Sequence, residues 1–236
     1  MQLLQRQLLQ KQLKQPNKHL FNISELGQLS APIIGVDEVG RGCIAGPVCA
    51  GVVVFNEKNL RTVDLKNYID SKKIPEAKRK AISEQIQKDH YFAFGWATPE
   101  EIDEINIRQA TLLAMSRAVI ALNIKLNTKL NKKLDISGGT LLIDGRDIIP
   151  DLVPIFGSLN QRAVISGDAL VKQISAASIV AKVARDELMK TMALDFPKYG
   201  FEKHKGYGTE VHREAIQKYG VLNFHRKSFG GVKEFI

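Results

Sequence analysis

Ile34-Gly35-Val36-Asp37-Glu38-Val39-Gly40-Arg41-Gly42 is the stretch on which the fold turns. The apolar run Ala31 to Val36 leads into it and reads as a short buried strand, ended by two adjacent carboxylates. Val48-Cys49-Ala50-Gly51-Val52-Val53-Val54-Phe55 follows, β-branched and unbroken, the pattern of a strand covered on both faces. Only a glycine-rich connection separates the two, which predicts an antiparallel hairpin.

Outward from this hairpin, Tyr91 to Thr98 reads as a third strand, and residues 75–88 and 99–123 show helical spacing. Pro99 followed by Glu100 and Glu101 suits a helix N-terminus. Thr140 to Ile143 is a strand ending at Asp144-Gly145, and Arg162 to Ile165 one ending at Ser166-Gly167-Asp168. Ile174 to Leu194 predicts a long helix whose Ser175, Ala176, Ala177, Ser178, Ala181 and Ala184 let it lie close to its neighbour. Beyond Pro197 the chain is polar, aromatic and basic, with a helix near 209–218. Strands paired first and then alternating with helices give an α/β class, a mixed sheet covered by helices. The expected organisation is a loosely docked helical arm over 1–30, a core over 31–195 and a helical, substrate-binding part over 196–236.

Composition narrows the classes. The 236 residues carry 44% hydrophobic and 25% charged residues, enough for a full core without covalent staples. Cys43 and Cys49 alone cannot form a disulfide framework or a four-sulfur zinc site, so a reducing, cytoplasmic setting is expected. No apolar run reaches the ~18 residues of a membrane span, and the Gln/Leu/Lys-rich N-terminus has no secretory pattern. A net charge of +9 points to a polyanion. Its cations gather at Lys72, Lys73, Lys78, Arg79 and Lys80, and at Lys203, Lys205, Arg213, Arg226 and Lys227.

Three strand ends carry acids: Asp37 with Glu38, Asp144, and Asp168. Side chains at strand ends of an open α/β sheet converge on one crevice. Clustered carboxylates repel one another and lose water unless cations neutralise them, and oxygen-only donors favour Mg²⁺ or Mn²⁺ over zinc. Read singly, Asp168 before a helix suits a cap and Asp144 before Gly145 a turn. Asp37-Glu38 after a buried strand has no such structural role. On these residues alone a metal cradle and a set of caps and turns both stay open, as does a plain hairpin turn for Gly40-Arg41-Gly42. His90, His204, His212 and His225 lack a matched metal-binding spacing, and Asp186 reads as a helix-surface or packing residue.

The stretch 34–42 with Ala45-Gly46-Pro47-Val48 closely resembles the first motif of the ribonuclease HII family. Asp70-Ser71-Lys72-Lys73, Glu101 to Ile107, Leu142 to Gly145, Ile174 to Asp186, His204 to Thr209 and Arg226 to Phe229 follow in the family's order. The resemblance implies a ribonuclease H-like fold with a five-stranded mixed sheet, flanking helices and a helical C-terminal attachment. It implies that Asp37, Glu38, Asp144 and Asp168 are the catalytic and metal-holding residues, with two Mg²⁺ or Mn²⁺ ions per site. The implied substrates are RNA–DNA hybrids and duplex DNA with single ribonucleotides, cut on the 5′ side to leave 5′-phosphate and 3′-hydroxyl ends. Ribonucleotide and RNA primer removal would be the cellular roles, carried out by a monomer, with contact to a replication clamp left open. Gly40-Arg41-Gly42 resembles the loop that senses the ribose 2′-hydroxyl, and Tyr207 the tyrosine that packs on the sugar at the RNA-to-DNA junction; a half-buried core role is the alternative for Tyr207. Ser71, Lys72 and Lys73 resemble phosphate-contacting positions. One departure is Ser166, where family members often carry a lysine. The rivals are ribonuclease HIII, which usually has an extra N-terminal domain and a lysine in the glycine loop, a resolvase or transposase of the same fold, and a non-catalytic nucleic-acid binder.

Overall fold

Five strands build the sheet: β1 (Ile33–Val39), β2 (Val48–Val54), β3 (Tyr91–Ala97), β4 (Thr140–Asp144) and β5 (Asn160–Val164). The computed structural model describes residues 29–60, 64–127, 134–150, 152, 156 and 159–236. Of the expected N-terminal arm, residues 1–28 therefore lie outside the described residues. Spatial order is β3-β2-β1-β4-β5. β1 pairs antiparallel with β2 and β2 with β3, whereas β1–β4 and β4–β5 run parallel, so the sheet is mixed. The helices are α1 (Glu76–Asp89), α2 (Pro99–Leu126), α3 (Gly167–Leu170), α4 (Lys172–Asp195), α5 (Phe201–His204) and α6 (Glu210–Tyr219).

Period-two alternation assigns the two faces of β2. Val48, Ala50, Val52 and Val54 join the main core with Ala110, Ala114, Ala118 and Leu122 of α2. Val53 and Phe55 face the other way, onto Ile82 and Ile86 of α1 and Ala176, Ala177 and Val180 of α4. Both faces are dry, hence the unbroken β-branched run. The small residues of α4 do what their size predicts: a Cβ on Gly51 would stand 2.5 Å from the Ala177 carbonyl oxygen. A third apolar cluster joins Ile44 and Ala45 to Met189 and Ala193 of α4 and to Tyr199, Phe201, Ile216 and Val232. The C-terminal segment is thereby seated on α4 and on the chain just after Gly42.

Expected boundaries shift by a few residues, and two elements differ in kind. Helical spacing ran unbroken across 99–123, but α2 is kinked at Asn106, which holds φ 67° and ψ 161°. The Asn106 side chain accepts from the N–H groups of Arg108 and Gln109, so it caps a second helical segment. Thr98 and Glu101 form a capping box that starts the first. The long C-terminal helix begins at Lys172, after the separate single turn α3. Among the described residues no helix is long and apolar enough to cross a membrane.

Candidate active site

β1 and β4 are parallel neighbours in the register Val36–Ile143, so their C-terminal ends finish side by side. This puts Asp37 and Glu38 next to Asp144, and each offers a carboxylate oxygen within 4.8 Å of the others. β5 lies next to β4, and the turn after it presents Asp168, whose backbone N–H donates to Asp144 Oδ1 at 3.3 Å. Asp168 is not a helix cap: Ser166 holds that position, in the left-handed region at φ 55°, and Asp168 sits in the first turn of α3.

Asp37 is 5% exposed, with Oδ1 accepting the Glu38 N–H at 2.7 Å. Burial, then the charges of Glu38 and Asp144, hold its carboxyl well above the usual aspartate range, against a hydrogen bond from the Ser178 side chain. Burial also raises Glu38, opposed by Arg41, whose Nη1 lies 3.3 Å from Glu38 Oε1. Asp168 is raised by burial and by Asp144 and Asp70, with Lys72 acting in the opposite direction. Asp37, Glu38 and Asp144 offer three clustered oxygen donors that fit a hard divalent cation, and Asp168 lies on the same cleft but outside that group.

The acids floor a cleft of about 240 Å³, also lined by Gly40, Arg41, Gly42, Ser71, Lys72 and Tyr207. Tyr207 is 41% exposed on this wall, not a core residue, and its backbone bridges to Cys43. Ser71 lines the cleft, but its hydroxyl lies 3.0 Å from that of Ser178. Lys73 is not among the lining residues; its ammonium is 3.9 Å from Asp70 and its side chain 70% exposed. Ser178 and Lys182 line the cleft as well. In sequence Ser178 reads only as a small packing residue and Lys182 carries no site signal, although they lie on α4 one turn apart, at the i, i+4 spacing that marks one helix face.

Three residues of the basic clusters are interior. Arg79, Lys205 and Arg226 are buried. Arg79 donates to the carbonyls of Ser71 at 2.8 Å and Ile74 at 2.7 Å and pairs with Asp186 at 3.4 Å. Asp186 also receives Lys182 at 2.7 Å. It is the packing partner that its place late on the helix suggested, tying the 71–74 turn to α4.

The glycine loop is fixed by contacts with distant residues. Gly40 has φ +97°, and a Cβ there would stand 2.2 Å from Arg185 Nε. Arg185 is fully buried and donates to the carbonyls of Pro47 at 2.9 Å, Lys205 at 2.8 Å and Ala45 at 3.0 Å. Gly40→Ala is therefore expected to cost roughly 1–3 kcal/mol in stability from backbone strain alone. It should also lower cleavage by displacing the loop. Urea melts and rates would check it, and wild-type values for both would show that the loop tolerates a side chain.

A mixed five-stranded sheet, helices on both faces and carboxylates converging from adjacent strand ends define a protein of the ribonuclease H-like fold. The sequence model of the family described as Ribonuclease HII matches residues 34–232, and the chain belongs to that family, as a ribonuclease H-type enzyme. It is 47% identical to ribonuclease HII of Shewanella pealeana over 201 residues, 85% of this chain and 88% of that protein. It is 42% identical to ribonuclease HII of Zymomonas mobilis over 222 residues, 94% of this chain and 95% of that one. Among solved structures, the PCNA:RNase HII complex of Archaeoglobus fulgidus superposes with a TM-score of 0.64 at 25% identity, covering 84% of this chain and 95% of that chain. Bst-RNase HIII in complex with Mn²⁺ gives 0.65 at 16% identity, covering 94% and 74%, a likeness of fold.

Proposed function

We propose that this enzyme hydrolyses the RNA strand of RNA–DNA hybrids and cuts on the 5′ side of single ribonucleotides in duplex DNA. The products are 5′-phosphate and 3′-hydroxyl ends. One observation carries the reading: the carboxylate cluster, Gly40-Arg41-Gly42 and Tyr207 share one cleft although their residues are far apart in sequence. Asp37, Glu38, Asp144 and Asp168 would hold two ions, Mg²⁺ or Mn²⁺. When bound, these supply an activated water and neutralise charge on the scissile phosphate.

The chain's own groups supply selection and placement. Glycine at 40 and 42 lets the backbone approach a sugar, and a 2′-hydroxyl both donates and accepts hydrogen bonds, which separates RNA from DNA. Tyr207 presents its ring on the opposite wall, where it packs on the neighbouring sugar. Arg41, Lys72 and Lys182 offer cations for phosphates along the cleft. Lys72 already opposes the raised pKa of Asp168, so it provides the cation that Ser166 does not. The cellular role proposed is ribonucleotide and RNA primer removal by a cytoplasmic monomer, with a replication-clamp contact like that of the Archaeoglobus fulgidus protein with PCNA.

A DNA duplex containing one ribonucleotide, incubated with Mg²⁺ or Mn²⁺, is the decisive substrate. The expected product is a single nick 5′ of the ribonucleotide. No cleavage by the folded wild-type protein would overturn the reading, and cleavage of a continuous hybrid alone would point to ribonuclease HIII behaviour. Tyr207→Ala should slow nicking about tenfold or more, the size expected from losing ~1–3 kcal/mol of stacking. Its melting temperature should stay near wild type; a large fall would make Tyr207 a core residue instead.

A further inference from the structure

Three histidines that show no spacing in sequence meet in the C-terminal part. His204 stacks on His212 with ring centroids 4.3 Å apart, and His212 Nε2 faces His225 Nε2 at 3.1 Å. Their hydrogen bonds fix which nitrogen carries each proton. The Leu222 N–H donates to His225 Nδ1 at 2.8 Å, so the neutral His225 ring is protonated on Nε2. His212 Nδ1 lies 2.8 Å from the Tyr207 carbonyl oxygen, which only accepts, so Nδ1 carries that proton and Nε2 is bare. His225 Nε2–H therefore donates to His212 Nε2, and His212 Nδ1–H donates to the Tyr207 carbonyl. Both rings are fully buried, and burial pulls their pKa values down to about 4, which keeps this neutral chain intact at pH 7.

The next residue reaches the other wall of the cleft. Arg226 is fully buried and donates to the carbonyls of Gly40 at 2.7 Å, Arg41 at 2.8 Å and Gly46 at 3.0 Å. Its own N–H donates to the Ile44 carbonyl at 2.9 Å, while Ile44 N–H donates to Gly206 at 2.9 Å. The segment 43–46 is thus held between 206–207 on one side and 224–226 on the other.

We propose that His225-Arg226 is the positioning strut of the ribose-reading device. The arginine fixes the backbone of Gly40 and Arg41, the histidine fixes that of Tyr207 through His212, and neither touches substrate. This rests on the functional reading above and deepens it. A glycine loop has few side chains with which to order itself, so its carbonyls must be pinned from outside. One planar guanidinium with several fixed donors does so at a single geometry, which an ammonium cannot copy. Preorganisation of this kind matters most where the substrate offers one register only. A continuous hybrid presents a 2′-hydroxyl at every step, so a loosened reader still finds one. A lone ribonucleotide presents one, and is the more sensitive substrate.

Two measurements test the strut. In the wild-type protein at neutral pH, side-chain ¹⁵N–¹H spectra should show His225 protonated on Nε2 and His212 on Nδ1; the opposite tautomer on either ring would overturn it. In kinetics, Arg226→Lys and His212→Ala should lower kcat/KM for the single-ribonucleotide duplex by about tenfold more than for a continuous hybrid. Mn²⁺ binding, read by the rise in melting temperature, should be retained. His212→Asn, whose amide can still donate to the Tyr207 carbonyl, should recover most of the loss. Equal losses on both substrates, or no rescue by His212→Asn, would reduce the dipeptide to ordinary core packing. If Arg226→Lys does not fold, the His212 pair and the tautomers decide. A wild-type protein that fails on the lone ribonucleotide would instead sink the functional reading, with the tautomer result still judging the hydrogen-bond chain.

Discussion

Asp37→Asn is expected to reduce cleavage by roughly 10³-fold or more, the scale of losing one key electrostatic group, while making the metal-free protein more heat-stable. Asp37 is held above its ordinary pKa by burial and by Glu38 and Asp144. Folded protein therefore keeps this proton to a higher pH than the unfolded chain does. Metal-free stability must fall as pH rises from the ordinary aspartate range towards Asp37's raised value, because the folded state binds more protons across that window. Asparagine has no proton to lose and can still accept from the Glu38 N–H, so the variant should decline less steeply than the wild type, with Glu38 and Asp168, also raised, leaving the remaining slope. At pH 8 the metal-free variant should melt above the wild type, and at pH 5 the difference should shrink. Mn²⁺ should raise the wild-type melting temperature, by binding folded protein only, and leave the variant nearly unmoved. Thermal melts at pH 5 and pH 8, with and without Mn²⁺, separate these effects. A metal-free variant less stable than wild type at pH 8 would show that Asp37 is not under electrostatic load.

Arg185→Ala should be the most damaging substitution for stability. It removes a fully buried guanidinium and leaves the carbonyls of Ala45, Pro47 and Lys205 without that donor. Each buried polar group left unsatisfied costs on the order of 1–3 kcal/mol, and the cavity adds to it. A total loss of about 3–5 kcal/mol and a fall of about 10 °C or more are expected. Urea unfolding with an unchanged slope would confirm a change in stability rather than in the unfolded state. A loss below about 1 kcal/mol would mean that water replaces the fork at little cost.

The strands and the acids were legible for one physical reason. A β-branched run covered on both faces tolerates no polar residue, so a carboxylate marks its end, and parallel neighbours bring such ends together. Asp37, Glu38 and Asp144 follow from that, whereas Asp168 comes from the helical turn after β5, a strand that opens with Asn-Gln-Arg and is only partly covered. The kink at Asn106 was hidden because apolar spacing resumes after it; only the cap-forming asparagine signalled a break. Arg79, Arg185 and Arg226 were harder still. An arginine in sequence looks like surface charge, and what makes these interior is a set of carbonyls contributed by remote segments. The three histidines come from separate turns of chain and meet only after folding, so no spacing rule finds them. Tyr207 and the glycine loop were recognised by resemblance, and their meeting in one cleft is tertiary information.

The brace on the glycine loop also has a direction in time. Gly40 and its donor Arg226 are 186 positions apart, and the Tyr207 carbonyl accepts from His212, itself bonded to His225, as well as from the Thr209 N–H. A ribosome therefore delivers every acid of the cluster well before it delivers the residues that hold the backbone of Gly40, Arg41 and Tyr207. A nascent chain stopped short of residue 225 carries all four carboxylates but lacks the guanidinium that donates to the Gly40 and Arg41 carbonyls. On the proposed reading, selectivity for the ribonucleotide is acquired last as the chain is made, and C-terminal truncation should remove it first.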